Sequence, residues 1–147
     1  MKTRDVPPTP KRVLFVCIGN SCRSQMAEAF ARAYGDGVLT PSSAGVYPAD
    51  IIAPDTVRAM AEKKLKLDGQ FPKSIEQVDR SVFDLIIDMS GELESEKGEL
   101  VRFWNVADPI ILDYRTHCQI RDQIEGLVKE LIAELRGERR KKKFALG

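Results

Sequence analysis

The stretch that decides the fold is RVLFVCIGNSCRSQMAEAF, residues 12–30. Its first part, residues 12–17, is a short run of apolar and β-branched residues, which predicts a strand buried on both faces. Its last part begins a helix near residue 24, with Met26 and Phe30 on one apolar face. A strand, a tight loop and a helix in this order predict the first unit of a parallel α/β sheet.

Residues 17–24, called the anion loop below, carry the chemistry. Five residues separate Cys17 from Arg23, a spacing typical of a loop whose backbone N–H groups converge on an oxyanion. Cysteine attacks as its thiolate, which a helix N-terminus and a nearby cation stabilise, and the planar Arg23 fork matches two oxygens of phosphate or arsenate. Gly19 and Asn20 tolerate left-handed backbone angles, and the Ser24 hydroxyl can donate to the sulfur. The loop predicts a thiol enzyme for a tetrahedral oxyanion.

Strand and helix patterns alternate along the rest of the chain. Strands are predicted at 38–43, 83–89 and 101–106, and a helix beginning at Pro54 is expected to bury Val57. The closing helix has one apolar stripe: Ile120, Ile124, Leu127, Val128, Leu131, Ile132 and Leu135. These patterns predict a single α/β domain with a four-stranded parallel sheet and helices on both faces.

Length and composition agree with one domain. The 147 residues, 43% of them hydrophobic, suffice for one core, and we expect a flexible extension over 1–10, the domain over 11–136 and a basic tail over 137–147. Three cysteines without a signal peptide or membrane-spanning run indicate a soluble, cytoplasmic protein. Both ends are basic and the body is acidic, so the anion must be bound by local dipoles and Arg23. The basic tail is read as a solvated helix end, and neither nucleic acid nor a membrane span is expected.

Several further segments resemble those of a known family. Residues 17–28, Ser43-Ala44-Gly45, residues 84–87 and Asp108-Pro109 resemble, in order, motifs of the low-molecular-weight protein tyrosine phosphatases and the related thioredoxin-coupled arsenate reductases. The resemblance covers residues 12–135 and implies a flavodoxin-like fold. It also implies an oxyanion-binding and loop-supporting set: Ile18, Gly19, Asn20, Ser21, Cys22, Ser24 and Ser43.

Asp108 is the second candidate catalytic residue. A carboxyl group beside the anion loop can protonate a departing oxygen and then activate water, and Pro109 biases Asp108 toward an extended loop. Tyr47, shortly after the Ser43 motif, either lines one wall of the substrate pocket or holds its hydroxyl in water.

The preferred functional prediction is a phosphomonoester hydrolase, and more narrowly a protein tyrosine phosphatase. It would form a phosphocysteine on Cys17, with Arg23 and Asp108 as the other catalytic residues and no cofactor. The substrate would be a phosphorylated protein or a small phosphoester.

The alternative is an arsenate reductase that uses the same loop with thioredoxin or a low-molecular-weight thiol. Reductases of the resembled family carry resolving cysteines after the third core strand, and residues 88–92 contain none. Cys118 is interpreted as a half-buried structural thiol. A phosphate-binding module without catalysis is a third, weaker alternative.

The remaining candidate ligands suggest redox chemistry at one residue and no metal site. The resemblance implies that Cys22 forms a reversible disulfide with Cys17, and the alternative is a small residue packed under the loop. Cys17, Cys22 and His117 do not supply four suitably placed zinc ligands, so no metal is expected. His117, the only histidine, is predicted to lie on the surface near the start of the last helix.

Overall fold

The computed structural model describes the backbone of residues 9–146 and the side chains of residues 9–138. Most of the predicted flexible extension therefore lies outside the described residues. The strands are β1 (Lys11–Cys17), β2 (Leu39–Gly45), β3 (Leu85–Asp88) and β4 (Val101–Phe103), and the helices are α1 (Arg23–Tyr34), α2 (Pro54–Ala61) and α3 (Tyr114–Leu146). Two short 3₁₀ helices cover Ile75–Gln77 and Arg80–Val82.

All four strands are parallel and lie in the order β2-β1-β3-β4. The predicted fold class is confirmed. Because β1 lies between β2 and β3, its carboxyl end lies between the carboxyl ends of two neighbouring strands. Ligands bind at this edge of the sheet in such folds. Cys17 pairs with Gly45 at the end of β2, and Val16 pairs with Asp88 at the end of β3.

The two faces of the sheet are covered differently. Val13 and Phe15 of β1 point into a core formed with α1, α2 and α3. Leu14 and Val16 point to the other face, where the segment 75–83 with its two 3₁₀ helices covers a smaller cluster. Burial on both faces thus explains why residues 13–17 of β1 are apolar at every position, after Lys11 and Arg12 at its start.

Several element boundaries differ from the prediction. β3 and β4 are shorter than the predicted 83–89 and 101–106. In α2 the inward face is centred on Thr56, Ala59 and Met60, so Val57 lies at its edge and is 47% exposed rather than buried.

The closing helix carries the predicted stripe and extends further than expected. The stripe residues are buried, with Leu127 partly buried against them. The helix continues through Gly137 to Leu146, so no backbone change marks the predicted start of the tail. The prediction for His117 was wrong: it lies in the first turn of α3, faces α2 and is 1% exposed. Within residues 9–146, no helix is both long and apolar enough to cross a membrane.

Candidate active site

The anion loop is held in its curled shape by the segment that follows β2. The carbonyl oxygens of Cys17, Ile18 and Gly19 accept hydrogen bonds from N–H groups of this segment, at 3.0, 2.8 and 2.8 Å. Ser21 does the same for Ala53 at 3.1 Å. These bonds turn the carbonyls outward, so the N–H groups of the loop are left toward its centre, where an anion would bind.

The close approach of β2 to the loop requires a glycine. A Cβ atom at Gly45 would lie 2.7 Å from the Ile18 carbonyl oxygen and 2.9 Å from the Asn20 nitrogen. The left-handed conformation predicted for both Gly19 and Asn20 occurs only at Asn20, whose φ is 50°. An asparagine tolerates this region better than most residues, and its side chain gives a further reason for its presence.

Asn20 lies at the centre of a buried hydrogen-bond network. Its Nδ2 donates to Ser24 Oγ at 2.7 Å and to Ser43 Oγ at 3.0 Å, while its Oδ1 accepts from the Lys73 N–H at 2.9 Å. Ser24 Oγ lies 2.9 Å from the Cys17 sulfur. The loop-supporting contacts expected of Asn20, Ser24 and Ser43 are present, and they end at the Cys17 sulfur.

Sequence reasoning missed one member of this network. Glu28 is 5% exposed, and its Oε1 accepts a 2.6 Å hydrogen bond from Ser43 Oγ. Its other oxygen pairs with Arg32. The sequence feature that could have indicated this role is the position of Glu28, one helical turn after Ser24 and on the same buried face of α1.

The Arg23 guanidinium is held by hydrogen bonds from Nη1, whereas its Nε has no hydrogen-bond partner. Its side chain is buried, and Nη1 donates to the carbonyl oxygens of Met89 and Val106. Nη2 lies 3.6 Å from a carboxylate oxygen of Asp108. Among the buried side-chain nitrogen and oxygen atoms that the structure describes, only Arg23 Nε has no hydrogen-bond partner. An unpaired buried donor is costly, so Nε is ready to receive an oxyanion oxygen.

The cavity above the loop is small and brings the two loop cysteines together. Its volume is about 170 Å³, and its lining residues are Cys17, Ile18, Gly19, Ser21, Cys22, Ala49, Asp108 and Ile110. Cys17 is 2% exposed, and the Asp108 side chain is 37% exposed. This placement brings Asp108 to the same edge as Cys17, as the sequence indicates.

Tyr47 does not form a wall of this cavity. Its backbone N–H is tied to the Ile18 carbonyl, and its side chain is 69% exposed. Of the two alternatives for Tyr47, a wall of the pocket or a hydroxyl in water, the exposed side chain agrees with the second, and Ala49 lines the cavity instead. Ile110, after the Asp108-Pro109 pair, is another apolar residue that lines the cavity.

The other two cysteines occupy different environments. Cys22 is 3% exposed, and burial raises the pKa of its thiol, although hydrogen bonds from Thr56 and Ser21 oppose the effect. Cys118 is half-buried on α3, outside the cavity, with its sulfur 3.5 Å from Glu62 Oε2.

Comparisons with known proteins agree on one family. A family model described as low molecular weight phosphotyrosine protein phosphatase matches residues 12–141. The "Glutaredoxin arsenate reductase" of Synechocystis sp. is 32% identical over 130 residues, which cover 85% of this chain and 98% of that protein.

Solved structures share the fold. An arsenate reductase from Archaeoglobus fulgidus is 33% identical and superposes with a TM-score of 0.75, over 82% of this chain and 98% of that one. The YwlE arginine phosphatase from Geobacillus stearothermophilus has a TM-score of 0.78 over 90% of this chain and 97% of that one. Since it is only 22% identical, it shows the fold alone.

These comparisons contradict the preferred functional prediction. The relatives at about 30% identity over most of this chain are named arsenate reductases, so the phosphomonoester hydrolase prediction was wrong and the alternative is favoured. The prediction gave decisive weight to the missing cysteines after β3.

Proposed function

Because this chain belongs to the low molecular weight phosphotyrosine protein phosphatase family, we propose that it acts within that family as an arsenate reductase with Cys17 as nucleophile. The observation that carries the proposal is the 32% identity, over 98% of its length, to a glutaredoxin arsenate reductase. The geometry supports it: a buried cysteine sulfur lies under an anion loop, beside an arginine with an unpaired donor.

The first chemical step is addition of the thiolate to arsenic. Dihydrogen arsenate binds to the loop N–H groups and to Arg23 Nε, and the Cys17 thiolate attacks As(V). The As–O bond opposite the sulfur breaks, and the departing oxygen takes a proton from Asp108 and leaves as water. The product is an arsenylated Cys17, still at the As(V) level. Ser24 Oγ lies 2.9 Å from the Cys17 sulfur, and it donates to the attacking thiolate, which can only accept.

The second step is the reduction itself. A thiol attacks the Cys17 sulfur, the S–As electron pair stays on arsenic, and arsenite leaves as As(III) while a disulfide forms. Two further external thiols then reduce that disulfide and restore the enzyme. We propose glutathione with a glutaredoxin as this external donor, since the named Synechocystis relative is glutaredoxin-coupled.

The test is arsenite production from arsenate by the purified full chain. Assays with glutathione plus glutaredoxin, and in parallel with thioredoxin and its reductase, should show turnover by the wild type. Cys17→Ser should give none. Cys118→Ser is the matched control, because this cysteine lies outside the cavity, and it should turn over like the wild type.

A negative result is made interpretable by two further measurements. Phosphate should protect Cys17 from alkylation by iodoacetamide, which reports an intact anion loop. Emission of Trp104, the only tryptophan, reports the fold through its contact with Phe15. A folded, phosphate-protected wild type that forms no arsenite with either donor system would refute the proposed function.

A further inference from the structure

The buried network behind the anion loop ends on a charged side chain. Glu28 is 5% exposed, and its Oε1 accepts a hydrogen bond of 2.6 Å from Ser43 Oγ. Its Oε2 pairs with Arg32, which also donates to Gln70 Oε1 at 2.7 Å. A buried carboxylate is costly unless it is paired and hydrogen-bonded. This one has one oxygen on its arginine and directs the other at the network that supports the loop.

The groups at the two ends of the network set the direction of the hydrogen bonds between them. A carboxylate only accepts, so the Ser43 hydroxyl donates to Glu28, and its oxygen is left to accept from Asn20 Nδ2 at 3.0 Å. A backbone N–H only donates, so the Asn20 atom that faces the Lys73 N–H is the amide oxygen. Both constraints turn Asn20 Nδ2 toward the serine hydroxyls.

The same constraints fix where the Ser24 hydroxyl proton points. Ser24 Oγ lies 2.7 Å from Asn20 Nδ2 and 2.9 Å from the Cys17 sulfur. Because Asn20 Nδ2 donates, only the sulfur of these two partners can accept the Ser24 proton. A hydrogen bond donated to the sulfur favours the thiolate, which is the attacking form of cysteine.

The network also has a reversed order, in which that hydrogen bond is lost. If the Asn20 amide turns over, its oxygen faces Ser24 and Ser43 and accepts from both hydroxyls. The Ser24 proton then points at Asn20 and away from the sulfur. The Glu28 carboxylate excludes this order, because it would face a Ser43 oxygen that has no proton left to donate.

We propose that Glu28 is a positioning residue for the nucleophile. Through the network it holds the Ser24 hydroxyl as a donor to the Cys17 thiolate. Glu28 is not among the residues that line the cavity, so it acts through other side chains. The inference rests on the proposed function only for the role of Cys17 as the nucleophile.

The proposed effect of Glu28 is opposite in sign to the direct effect of its charge. A negative charge near Cys17 disfavours the thiolate, so charge alone predicts that Glu28→Gln makes Cys17 more reactive. Hydrogen-bond direction predicts the reverse. In this variant Arg32 attracts the oxygen of the new amide, and the amide nitrogen then faces Ser43. That nitrogen donates to Ser43 and permits the reversed order.

The first experiment measures how fast iodoacetamide alkylates Cys17 in the reduced full chain, because the thiolate is the form that reacts. Trypsin releases both loop cysteines on the peptide 13–23, in which tandem mass spectrometry distinguishes Cys17 from Cys22. The alkylation rate does not depend on arsenate, so it tests the inference separately from the proposed function.

The alkylation rate should fall when the carboxylate is replaced. At neutral pH Glu28→Gln should react about tenfold more slowly than the wild type, the effect of one lost hydrogen bond to a charged group. The difference should narrow as the pH rises, because hydroxide then removes the thiol proton without help from Ser24. The matched control is Glu134→Gln on α3, which removes a carboxylate that pairs with Arg102 outside the network. It should react at the wild-type rate.

The second experiment restores the hydrogen-bond direction without restoring the charge. When Glu28→Gln is combined with Arg32→Ala, no arginine attracts the amide oxygen, and that oxygen is free to accept from Ser43 again. The double variant should regain a Cys17 alkylation rate close to the wild type. Arg32→Ala alone should also react like the wild type, because its Glu28 carboxylate, which Lys73 also faces, still only accepts.

Arsenite formation should follow the same order among the variants. In Glu28→Gln, kcat should fall about tenfold, the effect of the same lost hydrogen bond. KM for arsenate should stay at the wild-type value, because the anion binds to the loop N–H groups and to Arg23, which the substitution does not touch. The double variant should recover the wild-type kcat.

Two results would overturn the inference directly. One is alkylation of Cys17 in Glu28→Gln at or above the wild-type rate, which would leave only the effect of charge. The other is a double variant as slow as Glu28→Gln, which would indicate a role in packing or ion pairing. Trp104 emission and phosphate protection of Cys17 confirm that each variant retains the fold.

Two further results separate folding and function from the inference. If Glu28→Gln does not fold, Ser43→Ala breaks the network at its next member; slower alkylation of Cys17 would support the inference, and the wild-type rate would overturn it. A set of variants that follows the expected alkylation order, with no arsenite from the wild type and either donor system, would overturn the proposed function and leave the inference standing.

Discussion

Replacing Asn20 tests how the loop conformation and its support network act together. Asn20→Ala removes two buried side-chain hydrogen bonds of 2.7 and 3.0 Å and a part-buried one of 2.9 Å, and the last loss leaves the Lys73 N–H without its acceptor. At about 1 kcal/mol per bond, with the larger cost of an orphaned donor, these losses come to about 3 kcal/mol. Alanine at a φ of 50° adds about 1 kcal/mol. We expect a destabilisation of about 4 kcal/mol, within the stability of a typical domain.

The same substitution should slow catalysis in the folded enzyme. Without Asn20 Nδ2, Ser24 Oγ is no longer fixed against the Cys17 sulfur. Misplacement of a reacting group by about 1 Å can cost about 100-fold in rate, and we expect arsenite formation to fall by about that factor.

Urea unfolding followed at Trp104 measures the stability, and arsenite formation in low urea measures the rate. Asn20→Gly is the matched control: it loses the same hydrogen bonds but has no left-handed strain, so it should be about 1 kcal/mol more stable than Asn20→Ala. Asn20→Asp keeps the acceptor for the Lys73 N–H but replaces the donor with a carboxylate, which adds a buried charge to the network that contains Glu28. An alanine variant within 1 kcal/mol of the wild type and with the wild-type rate would refute the reasoning.

Three further predictions concern packing and titration. Gly45→Ala should destabilise the fold by about 1–3 kcal/mol, because its Cβ would meet two backbone atoms. The control is Gly126→Ala on α3, which should not destabilise the fold because the added Cβ would lie in open space. Urea unfolding of both variants measures the difference. Burial lowers the pKa of His117 below its ordinary 6.5, so the unfolded chain binds that proton at a higher pH than the folded protein does. The free energy of unfolding should therefore be unaffected by this group above pH 6.5 and should decrease as the pH drops below 6.5. His117→Gln should reduce this pH dependence. Burial and the hydrogen bond to Glu125 raise the pKa of Tyr34 to about 12, so ultraviolet titration should show a phenol that ionises at high pH. The pKa of this phenol should fall in Glu125→Gln. It should not change in a control variant that replaces an exposed tyrosine.

The sequence alone predicted the parallel sheet, which the structure confirms, and it indicated Cys17 as the candidate nucleophile. The alternation of apolar runs and amphipathic stripes favours a parallel sheet with both faces covered, because a strand without a polar face must be buried on both sides. The five-residue separation of Cys17 and Arg23 is a local property of one loop, so it could be predicted without tertiary contacts. Choosing between arsenate and phosphoester chemistry required relatives, because both oxyanions have the same shape and charge.

Only the tertiary structure decided which residues lie behind the loop. Thr56 and His117 are 61 residues apart, and the sequence gives no sign that they meet, so a lone histidine near a helix start was predicted to be exposed. The two alternatives left open for Tyr47 were likewise decided by the tertiary structure, in which its side chain is 69% exposed and Ala49 lines the cavity instead. Local patterns determine elements and loop chemistry, whereas the environment of a side chain depends on which distant elements pack against it.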